Sequence, residues 1–158
     1  MAKFVYRMQN ILNLKLKLEE QQKMEFAAAR KRLDEEEDKL HLLFRRKAGY
    51  EEEGRRLRED DLNVQDILDN RNALIQMDDY IAFQQIQVSK AEAKLEEERQ
   101  KLQEAVQERK IQEKLRENAF EVFIREENAR ESKEVDELVS YTYGQRLRET
   151  GHGESTGT

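Results

Sequence analysis

Two histidines, His41 and His152, are the only side chains of this sequence with an unperturbed pKa near neutrality. A general base or a zinc site needs such a group beside a nucleophile, an orienting carboxylate or a second ligand at fixed spacing. His41 falls beside the apolar seam of an expected helix, and His152 in a terminal run of small polar residues, with no other histidine near either. Cysteine is absent, so there is neither a thiolate metal site nor a disulfide. Carboxylate pairs are plentiful, as at Asp34 and Asp38, but a solvated helix face offers no pocket to raise one pKa for acid–base work. Neither G-x-x-x-x-G-K-[ST] nor G-x-G-x-x-G occurs, so no glycine loop cradles a phosphate. The expectation is a chain that is not an enzyme, with no catalytic residue, no cofactor and no metal.

The surrounding elements are built for something else. Of 158 residues, 41% are charged and 37% hydrophobic, below the roughly 45–50% apolar content of ordinary domains. That suits a narrow seam between helices rather than a thick core. Proline, which would break a helix, is absent, and glycine occurs six times. In the first half, Phe26, Ala29, Leu33, Leu40, Leu43, Tyr50 and Leu57 keep heptad spacing. Before them the seam reads as Phe4, Met8, Ile11, Lys15, Leu18 and Gln22, which predicts a four-residue stutter between Gln22 and Phe26. In the second half Ile67, Leu74, Met77, Ile81, Val88, Ala91, Leu95, Leu102 and Ala105 form a seam that becomes irregular after Val106. Gly49 and Gly54 weaken the end of the first run, and Asn63 is a ready helix N-cap, with Asp66 three residues on.

The expected fold is all-α: a long antiparallel two-helix coiled coil, or helical hairpin, forming one domain over residues 1–148. Its helices run from about 3 to 60 and from about 64 to 148, with a turn at about 61–63. A polar tail over 149–158 is expected to be disordered. Folding at Leu62 pairs residues whose numbers sum to about 124. Leu57 meets Ile67, Tyr50 meets Leu74, Leu43 meets Ile81, Leu33 meets Ala91, Ala29 meets Leu95 and Phe4 meets Phe120. Residues from about Glu121 to Arg148 then overhang without a partner in the chain. They carry Val122, Phe123, Ile124, Val135, Leu138, Val139, Tyr141 and Tyr143, a surface that calls for another protein. Helical ion pairs with the acid first are expected at Glu35–Lys39, Glu51–Arg55, Glu52–Arg56, Glu97–Lys101 and Glu126–Arg130.

A net charge of -6 argues against nucleic acid, which needs a basic stripe. The same acidity counts against an RNA-binding helical arm of the kind appended to some synthetases. No apolar run is long enough to span a membrane, and no signal-peptide apolar region opens the chain.

The opening Phe4-Val5-Tyr6-Arg7-Met8-Gln9, then Leu12, then Glu19-Glu20, resembles the start of the FliJ family, small coiled-coil proteins of the flagellar type III export apparatus. That start commonly reads F-x-[FY]-R-L-Q, a leucine, then E-E; Met8 stands where leucine is usual. The likeness continues through Leu40, Leu43 and Tyr50 and covers most of residues 3–148. It implies a protein resembling the central stalk of rotary ATPases, which binds the hexameric export ATPase and its regulator and links them to the membrane export gate protein. Export chaperones are further partners, and the location is peripheral, on the cytoplasmic side of the membrane, in the service of motility. On that reading the ring-facing residues are Phe4, Arg7, Phe123, Ile124, Arg130, Val135 and Leu138. The gate-facing residues are Leu43, Tyr50, Leu74, Ile75 and Tyr80. Arg46 and Asp78 stand where relatives often carry apolar or aromatic residues. The alternatives are a general export chaperone and a generic structural coiled coil.

Overall fold

A computed structural model of the chain describes residues 2–59 and 61–152. It contains two helices, α1 (Gln9–Leu57) and α2 (Val64–His152), and no strand among the described residues. The first helix starts later than its composition suggests. Residues 2–6 are irregular and lead into a turn at Arg7 and Met8. No acidic residue stabilises the first turn; instead the Tyr6 carbonyl accepts from Gln9 N–H at 3.2 Å and the Met8 carbonyl from Leu12 N–H at 3.1 Å. α1 ends at Leu57 in a turn, three residues before the expected boundary, and Asp60 lies outside the described residues. Asn63 caps α2 as its position predicts: its side-chain oxygen accepts from Gln65 N–H at 3.0 Å and Asp66 N–H at 3.4 Å. At the other end α2 runs past Arg148 to His152, where the Thr150 hydroxyl donates back to the Arg146 and Leu147 carbonyls. The rest of the expected tail, 153–158, lies outside the described residues.

The seam of α1 is unbroken. Leu12, Lys15, Glu19, Gln22, Phe26, Ala29, Leu33, Glu36 and Leu40 are buried or half-buried at alternating steps of three and four. The expected stutter is therefore overturned. Ile11, Leu18 and Met8, the apolar residues that suggested it, are exposed, and Leu12 and Glu19 take the inner positions. In α2 the same spacing continues through Leu102, Ala105, Arg109 and Gln112 to Ala119 and Phe123. The apparent irregularity after Val106 arises because two seam positions hold an arginine and a glutamine.

The contacts group into two compact units, Lys15–Arg109 and Met1–Leu14 with Lys110–Thr158. In the first, the helices pack antiparallel in the expected alignment. Asn70 donates to the Tyr50 carbonyl at 2.8 Å, Lys47 pairs with Asp78 at 2.8 Å, and Lys15 with Glu108 at 2.8 Å. Each of these pairs, and that of Glu19 with Arg109, sums to within four of 124. The core is thin: Ala29, Met77, Ile81, Val88 and Ala91 are its buried apolar residues. Glu36, Gln84 and Glu98 are buried among them, with Gln22 half-buried.

Those four form two hydrogen-bonded clamps. Gln84 donates to the Glu36 carboxylate and, at 3.0 Å, to the Glu36 carbonyl. Gln22 donates in the same way to the Glu98 carboxylate and, at 3.3 Å, to the Glu98 carbonyl. Arg32 and Lys39 flank Glu36 at 3.0 and 3.4 Å, and Lys94 and Lys101 flank Glu98 at 3.0 and 3.8 Å. The Gln84 amide, then the charges of Lys39 and Arg32, hold Glu36 below the usual carboxylate range. The Lys94 ammonium and the Gln22 amide, then the charge of Lys101, do so for Glu98.

The sign of the pH effect follows. Acids whose folded pKa lies below the unfolded 4.5 stabilise the fold above pH 4.5, and that contribution is lost as pH falls through the folded value. Thermal melts followed by circular dichroism should show Tm dropping steadily below pH 4.5. The Glu36→Gln/Glu98→Gln variant should show a shallower drop.

Gly54, expected to weaken the helix, is instead a packing device. A Cβ there would lie 2.5 Å from Asn70 Oδ1, so the missing side chain makes room for the amide that reaches Tyr50. Gly49 has nothing within 4 Å of its would-be Cβ. The two alanine substitutions should therefore differ in sign under urea denaturation. Gly49→Ala should stabilise by about 0.5–1 kcal/mol through helix propensity. Gly54→Ala should destabilise by about 1–2 kcal/mol as the buried amide is displaced.

Surface ion pairs follow the expected pattern only in part. Glu52–Arg56 and Glu97–Lys101 form at 3.7 and 3.1 Å. Lys39, Arg55 and Arg130 turn instead to the acid three residues back, Glu36, Glu52 and Glu127.

Candidate partner-binding surfaces

The N-terminal segment closes on α2 through aromatic rings. Phe4 meets Phe120 edge-on at 5.2 Å and Phe123 at 5.4 Å, and Phe120 lies 6.4 Å from Phe123. The Arg116 guanidinium sits over the Phe4 ring at 5.6 Å, a cation–π contact, and Gln9 accepts a hydrogen bond from Arg116 at 3.0 Å. Sequence reading pairs Phe4 with Phe120 and assigns Phe4 and Phe123 to one surface, but misses Arg116 as a member of the same cluster. An apolar hollow of about 700 Å³ opens beside the cluster, lined by Phe4, Val5, Tyr6, Arg7, Met8, Ala119, Val122, Phe123 and Glu126. Arg7 is exposed at its rim. The Tyr6 hydroxyl is buried and has no hydrogen-bond partner among the described residues.

Further along α2, Ile124 is 40% exposed and the Arg130 guanidinium is held by Glu127 at 3.1 Å. Residues 128–143 are exposed without exception. Val135 and Leu138 lie in this run with Val139, Tyr141 and Tyr143, and Leu138, Val139, Thr142, Tyr143 and Arg146 shape a shallow groove. The structure thus gathers Phe4, Arg7 and Phe123 at one place. Ile124, Arg130, Val135 and Leu138 are presented along the helix that leaves it.

The second residue set divides. Leu43, Tyr50 and Leu74 are half-buried in the seam of the Lys15–Arg109 unit, whereas Ile75 and Tyr80 are exposed. The Tyr80 hydroxyl accepts from Gln76 at 3.0 Å. Ile75 belongs to an outward stripe with Leu68, Ala82, Phe83 and Ile86, of which Leu68, Ile75 and Ala82 recur at seven-residue intervals. Asp78 is engaged by Lys47 at 2.8 Å, and that hydrogen bond raises the Lys47 pKa. Among the described residues no group of acids and histidines could hold a metal, and no helix is long and apolar enough to cross a membrane.

The aromatic hook, the heptad seam and the exposed run all fall inside one match: the family described as Flagellar FliJ protein covers residues 4–148. The chain belongs to the FliJ family. It is by that membership a coiled-coil component of flagellar type III export. A solved structure with a similar fold is that of a chain from Chlamydia trachomatis described as a YscO homolog. The two share 18% identity and a TM-score of 0.69, over 97% of this chain and 100% of that one, which is a likeness of fold. No curated protein matches the sequence.

Proposed function

We propose that this FliJ-family chain acts as the stalk-like partner of the hexameric flagellar export ATPase and links it to the membrane export gate. The observation that carries the reading is the uninterrupted exposure of residues 128–143 on a helix that still bears Val135, Leu138, Val139, Tyr141 and Tyr143. Isolated helices draw most of their stability from a packed apolar face, so this stretch is built for a surface outside the chain. Unequal contact of one helix with the subunits of a ring biases their states, since a ligand shifts an equilibrium only by differential binding. On this reading Phe4, Arg7, Phe123, Ile124, Arg130, Val135 and Leu138 face the ring. Ile75 and Tyr80 meet the gate, with Leu43, Tyr50 and Leu74 supporting them from the seam. The ATPase regulator and export chaperones are further partners, and the chain is peripheral at the cytoplasmic face of the membrane through these contacts.

The test is ATP hydrolysis by the matching export ATPase with and without the chain. Full-length protein should stimulate it. A truncation ending at Glu121 should not, and neither should Val135→Glu/Leu138→Glu, which leaves the aromatic cluster intact. No stimulation by the full chain, together with no co-elution with the hexamer, would remove the reading.

A further inference from the structure

The two clamps repeat one another. A shift of 62 residues carries Gln22 onto Gln84, Ala29 onto Ala91 and Glu36 onto Glu98. It also carries Arg32 onto Lys94 and Lys39 onto Lys101, the cations that flank the two acids. Within the Lys15–Arg109 unit the helices run antiparallel, so this repeat amounts to an approximate two-fold axis passing between Ala29 and Ala91. Each helix contributes one amide and one acid, and each amide is spent on the other helix's acid. The arrangement is absent from the reading of the apolar pattern, which takes Gln22 as a seam position but passes over Glu36, Gln84 and Glu98.

We propose that the two clamps are a register lock that selects one alignment of α1 and α2 and prevents the helices from sliding past each other by a heptad. Small and aliphatic seam residues recur every heptad and discriminate poorly between alignments one heptad apart. The clamps do not share that tolerance. A slip of one heptad in either direction gives the place of Gln84 beside Glu36 to Met77 or Ala91. It gives the place of Glu98 beside Gln22 to Ala91 or Ala105. Both amides then lose their acceptors and both buried acids their neutral donors, and an unsatisfied buried polar group is costly. A slip of two heptads in one direction brings Glu36 and Glu98 together, acid against acid. Because the clamps sit on both sides of the axis, the penalty acts whichever way the helices move. A single polar layer fixing register in a coiled coil is the best-attested use of buried polar residues. Here two layers do it in opposite orientation. The inference concerns the hairpin alone and does not depend on the proposed ATPase contact.

The absence of cysteine makes the test direct. Three double-cysteine reporters are placed in the full chain. L43C/I81C reports the native alignment, and L43C/L74C and L43C/V88C report slips of one heptad each way. Each is oxidised at low protein concentration and read on non-reducing gels. In the parent sequence only the native reporter should close. In the clamp-free variant Q22L/E36L/Q84L/E98L, checked for helix content by circular dichroism, the slipped reporters should close as well and the native one should lose yield. Should that variant not be helical, E36L/Q84L removes one clamp, and its slipped reporters should close more than the parent's. Slipped reporters that stay at the parent level in a helical variant would overturn the lock. So would slipped reporters that close in the parent itself, or a clamp-free variant that crosslinks only between chains.

Discussion

Ile81→Asp should cost the fold about 3–5 kcal/mol, the scale of an uncompensated charge placed in a buried site. Ile81 is 6% exposed, in the middle of a core that holds few buried apolar side chains. Two residues on, Phe83 is 62% exposed, and Phe83→Asp should change stability by no more than about 0.5 kcal/mol. Both substitutions place the same carboxylate on the same helix, so the difference isolates burial. A domain of this kind has roughly 5–15 kcal/mol of total stability, which makes the first change a large share of it. Urea denaturation followed by circular dichroism reads both. Equal effects of the two substitutions would mean that α2 does not pack with the face described.

Phe123→Ala should loosen the N-terminal hook at a cost of about 2–3 kcal/mol, below the 3–5 kcal/mol of a fully buried phenylalanine because this ring is half-exposed. The ring supports Phe4 at 5.4 Å and Phe120 at 6.4 Å, and each aromatic pair adds about 0.5–1.5 kcal/mol beyond burial. The segment before Gln9 has no helix of its own to hold it. Hydrogen exchange should accordingly show faster exchange of the amides of residues 9–14, with little change around Met77 to Ala91. Unchanged protection at the start of α1 would show that the hook is held by something other than the rings.

What the sequence made legible has a physical pattern. Asn63 was readable because a helix cap depends on a side chain and its own neighbouring amides. The pairing of Phe4 with Phe120 was readable because a proline-free heptad pattern keeps its phase over long distances. Glu19, Glu36, Gln84, Glu98 and Arg109 were not, and Gln22 was read as a seam residue without its partner. A polar residue in a seam looks like a break until its partner on the other helix is known, and that partner lies 48 residues away for Glu36 and 76 for Gln22. The spurious stutter has the same origin, since Leu18 was preferred to Glu19. Among the surface residues, Ile75 and Tyr80 were legible as apolar groups off the seam. Leu43, Tyr50 and Leu74 read as both seam and surface because a two-helix seam leaves its members half-buried. Gly54 was misread for a simpler reason: its value lies in the space it leaves for Asn70.

The grouping of residues 1–14 with 110–158 in one unit has a practical side. Affinity tags and fluorescent proteins are bulky, and one fused beside residues 2–14 or 110–152 loads the unit that carries both the aromatic hook and the exposed run. A bulky tag could silence an interaction while leaving helix content and melting behaviour untouched, so that a null result would report the tag and not the protein. Glu59 and Asp61, exposed beside the turn between the helices, belong to neither feature. With no native cysteine to compete, a single cysteine at either of them gives a labelling site for fluorescence or surface attachment that leaves both termini bare.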